Sequence, residues 1–375
     1  MKKITLLGFI ITFAVLANAA GQFSYMGYEA VTYDDNIYLT NKNKKDSFIN
    51  TTRVGVNYVG QIPNSSLKLD AGAVGGYHFY TEDNDKNAYA DAAANVELYN
   101  NNFTLGDKFL FTSDPANSEL TQRAKRLNNN AYVSYVTSKE KMFGVGVKIS
   151  DVFDRYFKAK WEALNRNRVN LGAALYYNMS SKTSFLAEYT FTDIDYKVNN
   201  DNNSNGGTVA LGVEGQIAPK VKGTAKATYT YRNYKHDLAG YKNYADLFGY
   251  DVALSWQPTT RNEIRLSGDR TFDETVYTNN RYFISTGINL YASQKIKDKF
   301  TIALTLGYDN LAYETRVYGI KRSDDVYRIK PEVNYQFKEW LSAGVWYQYR
   351  KRNSNLSDEL DYANNKAGVF VKAVF

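Results

Sequence analysis

Five basic side chains, Arg328, Lys330, Arg350, Lys366 and Lys372, occupy polar positions of three successive alternating segments near the end of the chain. If those segments are strands, each group shares a face with its polar neighbours, and Glu332 is the lone acid set against the five. Lys222, Lys226 and Arg232 do the same in "VKGTAKATYTYR". Cations along the wall of a water-filled space concentrate anions there, so these eight form a basic track suited to anionic solutes such as acidic sugars. The plainer reading carries equal weight: an aqueous wall needs charged groups, and salt bridges lock neighbouring strands together.

Catalytic chemistry has little to draw on. The chain has two histidines, His78 and His236, and no cysteine. His78 shares parity with Lys68, Asp70 and Tyr80 and reads as a lumenal hydrogen-bonding group, whereas His236 begins a polar loop. No metal-ligand spacing or phosphate loop is present, and a serine and histidine in a recognisable nucleophilic motif are missing. Glu263 and Asp269 read as partners of Arg265. No catalytic, cofactor-binding or metal residue is expected, and no enzyme activity.

The elements that must position these residues follow from periodicity. Lys2 and Lys3 precede the apolar run Ile4 to Leu16, and Ala17-Asn18-Ala19 closes it. This is the pattern of a secretory signal peptide, residues 1–19, leaving a single domain over 20–375. The formal charge of +7 includes those two lysines, so the exported chain would carry +5, a mild excess that names no partner and calls for no nucleic acid. Past residue 20 no stretch has the roughly 18 apolar residues of a spanning helix. Aromatics are plentiful, with Tyr 33 and Phe 20 against Pro 5. Segments of ten or more residues alternate with period two: Val221, Gly223, Ala225, Ala227, Tyr229 and Tyr231 oppose the lysines and threonines between them. "FTIALTLGYD" and "LSAGVWYQYR" repeat the pattern.

Short connections fall at "QIPNSS", "NN" after Tyr99, "SKEK", "SSKT", "APK", "PTTRN", "KIKDK" and "KEW". Longer ones include 41–46, 113–128, 153–164, 196–206, 235–243, 312–323 and 352–362. Tight turns on one side and long loops on the other predict an all-β transmembrane antiparallel up-and-down barrel of about 18 strands, with 16 as the lower count, in contact with outer-membrane lipid. By parity Tyr229 belongs to the lipid girdle, while Tyr176, Tyr291 and Trp346 face inward, where rings could stack on sugars. Pro331 falls on the apolar face inside a strand, which calls for a local irregularity. Asp34 and Asp35 interrupt "VTYDDNIYLT", and they fit at the outer rim of strand 1, with Ile37 to Thr40 continuing the hairpin above the membrane.

The terminus "NKAGVFVKAVF" resembles the C-terminal signal recognised by the outer-membrane insertion machinery, with Phe375 as its aromatic last residue. "YDDNIYLT" followed by "KKDSFINTTRVGVNY" resembles the N-terminal strand pair of the putative β-barrel porin family of the second type. That resemblance implies an outer membrane of Gram-negative type and an association with exopolysaccharide export. The expected function is a porin-like conduit, with exopolysaccharide or anionic saccharide passage as the first reading. The alternatives are a general solute porin and a non-conducting surface adhesion or envelope-scaffold barrel, to be separated by lumen width and by the position of the 113–128 and 153–164 loops.

Overall fold

A computed structural model describes residues 20–375, except 83–87, 116–118, 120–122, 138–139, 199, 239, 276–279 and 318. Residues 1–19, where the sequence predicts a signal peptide, lie outside the described residues. Eighteen antiparallel strands form one closed sheet in which each pairs with its neighbours in sequence. They are β1 (Ala20–Asp34), β2 (Ser47–Gln61), β3 (Lys68–Tyr80), β4 (Ala88–Tyr99), β5 (Phe103–Thr112), β6 (Arg126–Val136), β7 (Phe143–Tyr156), β8 (Arg166–Asn178) and β9 (Thr183–Tyr196) in the first half. The second half contains β10 (Ser204–Ala218), β11 (Val221–Tyr234), β12 (Tyr244–Thr259), β13 (Asn262–Glu274), β14 (Tyr282–Ile296), β15 (Phe300–Val317), β16 (Ile320–Lys338), β17 (Leu341–Ser354) and β18 (Tyr362–Val374).

Closure is made by β1 and β18, in register from Met26↔Val374 to Asp34↔Lys366. Beyond the last bridge, Phe375 exchanges two backbone hydrogen bonds with Tyr25, at 2.9 and 3.0 Å, and its ring stacks on Trp340. No strand edge remains open, the condition for a sheet to sit in hydrocarbon. All eight expected short connections fall where one strand gives way to the next, with Ser138 and Lys139 of "SKEK" outside the described residues.

Alternation decides which face meets which solvent. Val54, Leu211, Ile302, Leu304 and Val369 are exposed on the outside. Rings such as Phe143, Tyr177, Phe300 and Trp340 girdle the short-turn end, and Tyr33, Phe48, Tyr77 and Phe79 the other. On β18 the odd positions look out, and Lys366 and Lys372 look in. Cysteine at Val369 or Val371 should therefore resist a water-soluble maleimide in membranes while cysteine at Lys372 reacts. The opposite labelling would refute this phase.

Several loop boundaries differ from the sequence expectation. β7 runs through residues 153–156, and β15 and β16 continue through most of 312–323, leaving residues 318–319 between them. Charged and aromatic residues are tolerated there because these strand ends rise beyond the apolar band, where either face can be polar. Two further long connections, not named from the sequence, separate β3 from β4 and β13 from β14. Ile37 to Thr40 do not prolong the first hairpin. The chain turns after Asp34, the Asn36 amide donates to the Thr40 carbonyl at 2.7 Å, and Leu39 takes a φ of 54°. Ile37 folds over the mouth onto Ile49 and Tyr80 because it has an apolar surface to bury there. Pro331 sits where expected. β16 pairs with β17 at Ile329↔Tyr349 and next at Glu332↔Trp346, skipping the residue that has no amide to give.

Candidate functional site in the barrel lumen

The site is the lumen, and its walls are set by strand parity. Of the eight basic track residues, five hold carboxylates: Lys226 to Glu188 at 2.7 Å, Arg232 to Glu274 at 2.7 Å, Arg328 to Asp309 at 2.7 Å, Lys330 to Glu332 at 2.8 Å and Lys366 to Asp34 at 2.7 Å. Lys222, Arg350 and Lys372 keep no ion pair among the described residues, and the Arg350 Nε is buried without a hydrogen bond. Glu332 is not the lone acid. Asp324 lies on the same strand, and Asp309 and Asp34 come from the strands on either side of the basic segment. Partners one strand away are invisible to parity within a strand. Lys226 reaches over β10 to Glu188 because Gly212, paired with it, puts no side chain between them.

Asp34 and Asp35 divide by face. Asp34, 1% exposed, takes Lys366 and the Asn364 amide at 2.5 Å on the inside. Asp35 accepts from the Asn365 backbone and side chain, at 2.7 and 2.6 Å, on the outside. Together they clamp β1 to β18 at the rim. His78 contacts Thr51 at 3.0 Å and Asp91 at 3.5 Å in the lumen wall. The ring of His236 makes no described contact, although its carbonyl accepts from Arg281. The inward rings are partly occupied: Lys330 lies 5.1 Å from the Trp346 centroid and Arg265 4.1 Å from that of Tyr291. Glu263 is 3.6 Å from Arg265, whereas Asp269 stands opposite Asp251.

Two segments turn into the mouth. In the β5–β6 connection, Glu119 is 2% exposed and its carboxylate accepts from Thr275, which follows β13, at 2.6 Å. Its carbonyl faces Arg352 on β17 at 3.5 Å. Arg123 of the same connection pairs with Asp114 at 2.9 Å and donates to the Tyr80 hydroxyl on β3. Burial lowers the Arg123 guanidinium to about 10, opposed by Asp34, so it remains charged at neutral pH. The connection thus reaches from β5 to Thr275 at the end of β13, far around the barrel. In residues 157–165, Trp161 and Leu164 pack on Ala124 of the β5–β6 connection and on Tyr156.

The second segment is the end of β13 with the start of β14. Pairing between β12 and β13 stops at Asp251↔Asp269, whereas β13 continues with β14 to Glu274↔Tyr282. Freed from β12, the hairpin end leans inward. Phe272 and Tyr282 pack on Tyr234, Ala245 and Leu247 of the inner wall. Glu274 docks on Arg232 and on the Tyr196 hydroxyl at 2.8 Å. Arg281, fully buried, donates to the carbonyls of Lys242 and His236 at 3.1 and 2.8 Å. These residues escaped the sequence reading. The visible sign was Arg270, a cation at a lipid-facing parity, which donates to the Phe248 carbonyl where the two strands part.

The 18 strands close into a barrel, and described residues of the β5–β6 connection are anchored on β3 and β17 and on Thr275 after β13. The sequence profile described as putative beta-barrel porin 2 matches residues 20–375. The chain belongs to that family. No curated protein matches it in sequence. Among solved structures it is similar to Acinetobacter baumannii OccAB4, with 12% identity over 96% of this chain and 99% of that one at a TM-score of 0.51. It is also similar to the outer membrane protein OpdK of Pseudomonas aeruginosa, with 9% identity over 94% and 99% of the two chains at 0.52. OccK2 (OpdF) of the same organism gives 8% identity over 95% and 97% at 0.52. At these identities the likeness is one of fold. The family and the fold together make this a porin-like barrel of outer-membrane type.

Proposed function

We propose that this porin barrel is a passive, non-enzymatic conduit for small anionic solutes, acidic sugars among them. The reading rests on one observation: Lys222, Arg350 and Lys372 face the lumen and keep no carboxylate within 4.0 Å among the described residues. An uncancelled cation in a confined aqueous path attracts anions over a Debye length of about 8 Å, so several act together. The five paired cations are bound up in the wall and contribute little net field. Polymeric exopolysaccharide fits less well than short acidic sugars, because a polymer would require Glu119 to release both Thr275 and Arg352.

The test is a planar-bilayer recording in a salt gradient. K222Q/R350Q/K372Q keeps the lining polar and should fold normally. Its ratio of anion to cation permeability should fall by about twofold or more at low salt, with a smaller change at high salt. Block by an acidic disaccharide should weaken in parallel. Unchanged selectivity in a folded variant would leave a general solute porin, and a wild-type barrel that passes no current would leave a non-conducting surface or scaffold role.

A further inference from the structure

Behind the inward-leaning end of β13 lies a cavity of about 120 Å³, between that strand and the inner wall of β8 to β11. Its lining is mostly polar and includes Arg168, Asn170, Thr192, Ser204, Thr208 and Thr230, with Ile194 and Phe272 as apolar members. Two of these groups lack partners. Ser204, 1% exposed, has a hydroxyl without a hydrogen bond, and the buried Nε of Arg168 has none either. Buried polar atoms in folded proteins are nearly always satisfied, and each exception calls for an explanation.

The charges around the cavity do not balance. Arg126 and Arg166 share Asp154, at 3.7 and 3.2 Å, and Arg232 is held by Glu274. Arg168 has no ion pair, and Asp273 is the remaining carboxylate whose field reaches it. Four arginines in and around the cavity are therefore set against three acids, Asp154, Asp273 and Glu274. The hydroxyls add donors. Thr192 gives its proton to Asn170, but Thr208 and Thr230 hydrogen-bond each other at 2.9 Å, which leaves one of those two protons free. Gly206, between Ser204 and Thr208, lines the cavity without a side chain and lets β11 approach closely, since a Cβ there would meet the Tyr231 carbonyl.

We infer that this cavity is a binding site for one small oxyanion, a phosphate-like or carboxylate group, held by Arg168 with hydroxyl donation from Ser204 and the Thr208–Thr230 pair. The bound anion would supply the missing negative charge and satisfy both orphaned groups at once. By filling the space under Phe272 and Thr271 it would also hold the β13 end in its inward position. The site is separate from the three unpaired cations of the conduit and does not depend on them.

Calorimetric titration of the full-length barrel in detergent at low ionic strength tests this, with inorganic phosphate and acetate as separate titrants. Saturable one-site binding of at least one is expected. R168Q should weaken it by about tenfold, the loss of a charge-assisted contact, and S204A by about threefold. R168Q removes an unpaired buried charge, so its heat-modifiable folded band should be at least as robust as that of the parent. Phosphate alone, acetate alone or both would each support the site and name its preferred geometry. Absence of saturable binding, or equal affinity in folded R168Q and wild type, would overturn it. Binding in micelles does not require conduction, so a barrel that binds but carries no current refutes the conduit alone, and the converse refutes the site alone.

Discussion

Cutting the β5–β6 connection loose from its anchors should raise single-channel conductance by on the order of twofold or more, because the narrowest cross-section limits ion flow. Glu119 is the key contact. Its carboxylate holds Thr275 at 2.6 Å and its carbonyl faces Arg352, while Arg123 holds the same connection to Tyr80. In E119A/R123A the segment loses its side-chain attachments to Thr275 and Tyr80 and keeps the backbone carbonyl of residue 119 against Arg352, while the wall strands, whose pairing does not involve it, keep their register. The expected recording shows larger steps, more open-channel noise and relief of discrimination against larger solutes. Conductance equal to wild type in the folded double variant would mean that this connection does not set the constriction.

Asp324 should be the most costly single acid to remove. It is fully buried between Arg322, at 2.5 Å, and Arg352, at 3.2 Å, whose side chains are 6% and 1% exposed. D324A removes the carboxylate that the two guanidinium groups share, and breaking a buried pair costs about 3–5 kcal/mol. D324N keeps an acceptor and should lose less. Removing the second cation as well, in D324A/R352M, should recover part of the loss. The readout is the urea midpoint of the folded barrel in lipid, together with the temperature at which the compact electrophoretic band disappears. A D324A midpoint indistinguishable from wild type would show that the arginines find water, and that the cluster is more open than its burial implies.

The two sets of residues differ in how visible they were beforehand. Val369 and Lys372 could be assigned to opposite faces from spacing alone, because a strand's side-chain period is fixed by backbone geometry. The same local rule located the eight short connections and gave a count of about eighteen strands, with sixteen as the lower figure. Lys330 and Glu332 were also legible as a pair, being two residues apart on one face. Arg328 and Asp309 were not, since their meeting depends on the register between β15 and β16, which no single strand encodes.

By itself, then, the sequence determined the barrel, its lipid and water faces, and which residues line the lumen. All of these follow from interactions within one strand and the solvent each face must meet. Only the tertiary structure decided which lumenal charges are cancelled and which remain. It also decided that Glu119 and Glu274, ordinary acids in polar stretches, become anchors inside the mouth. Their partners Thr275, Arg352 and Arg232 lie far away in sequence. The β13 end leans inward because Phe272 and Tyr282 gain more by burial against Tyr234, Ala245 and Leu247 than β12 and β13 lose by parting. That comparison sets a packing free energy against an unmade ladder, and neither quantity exists until the barrel has closed.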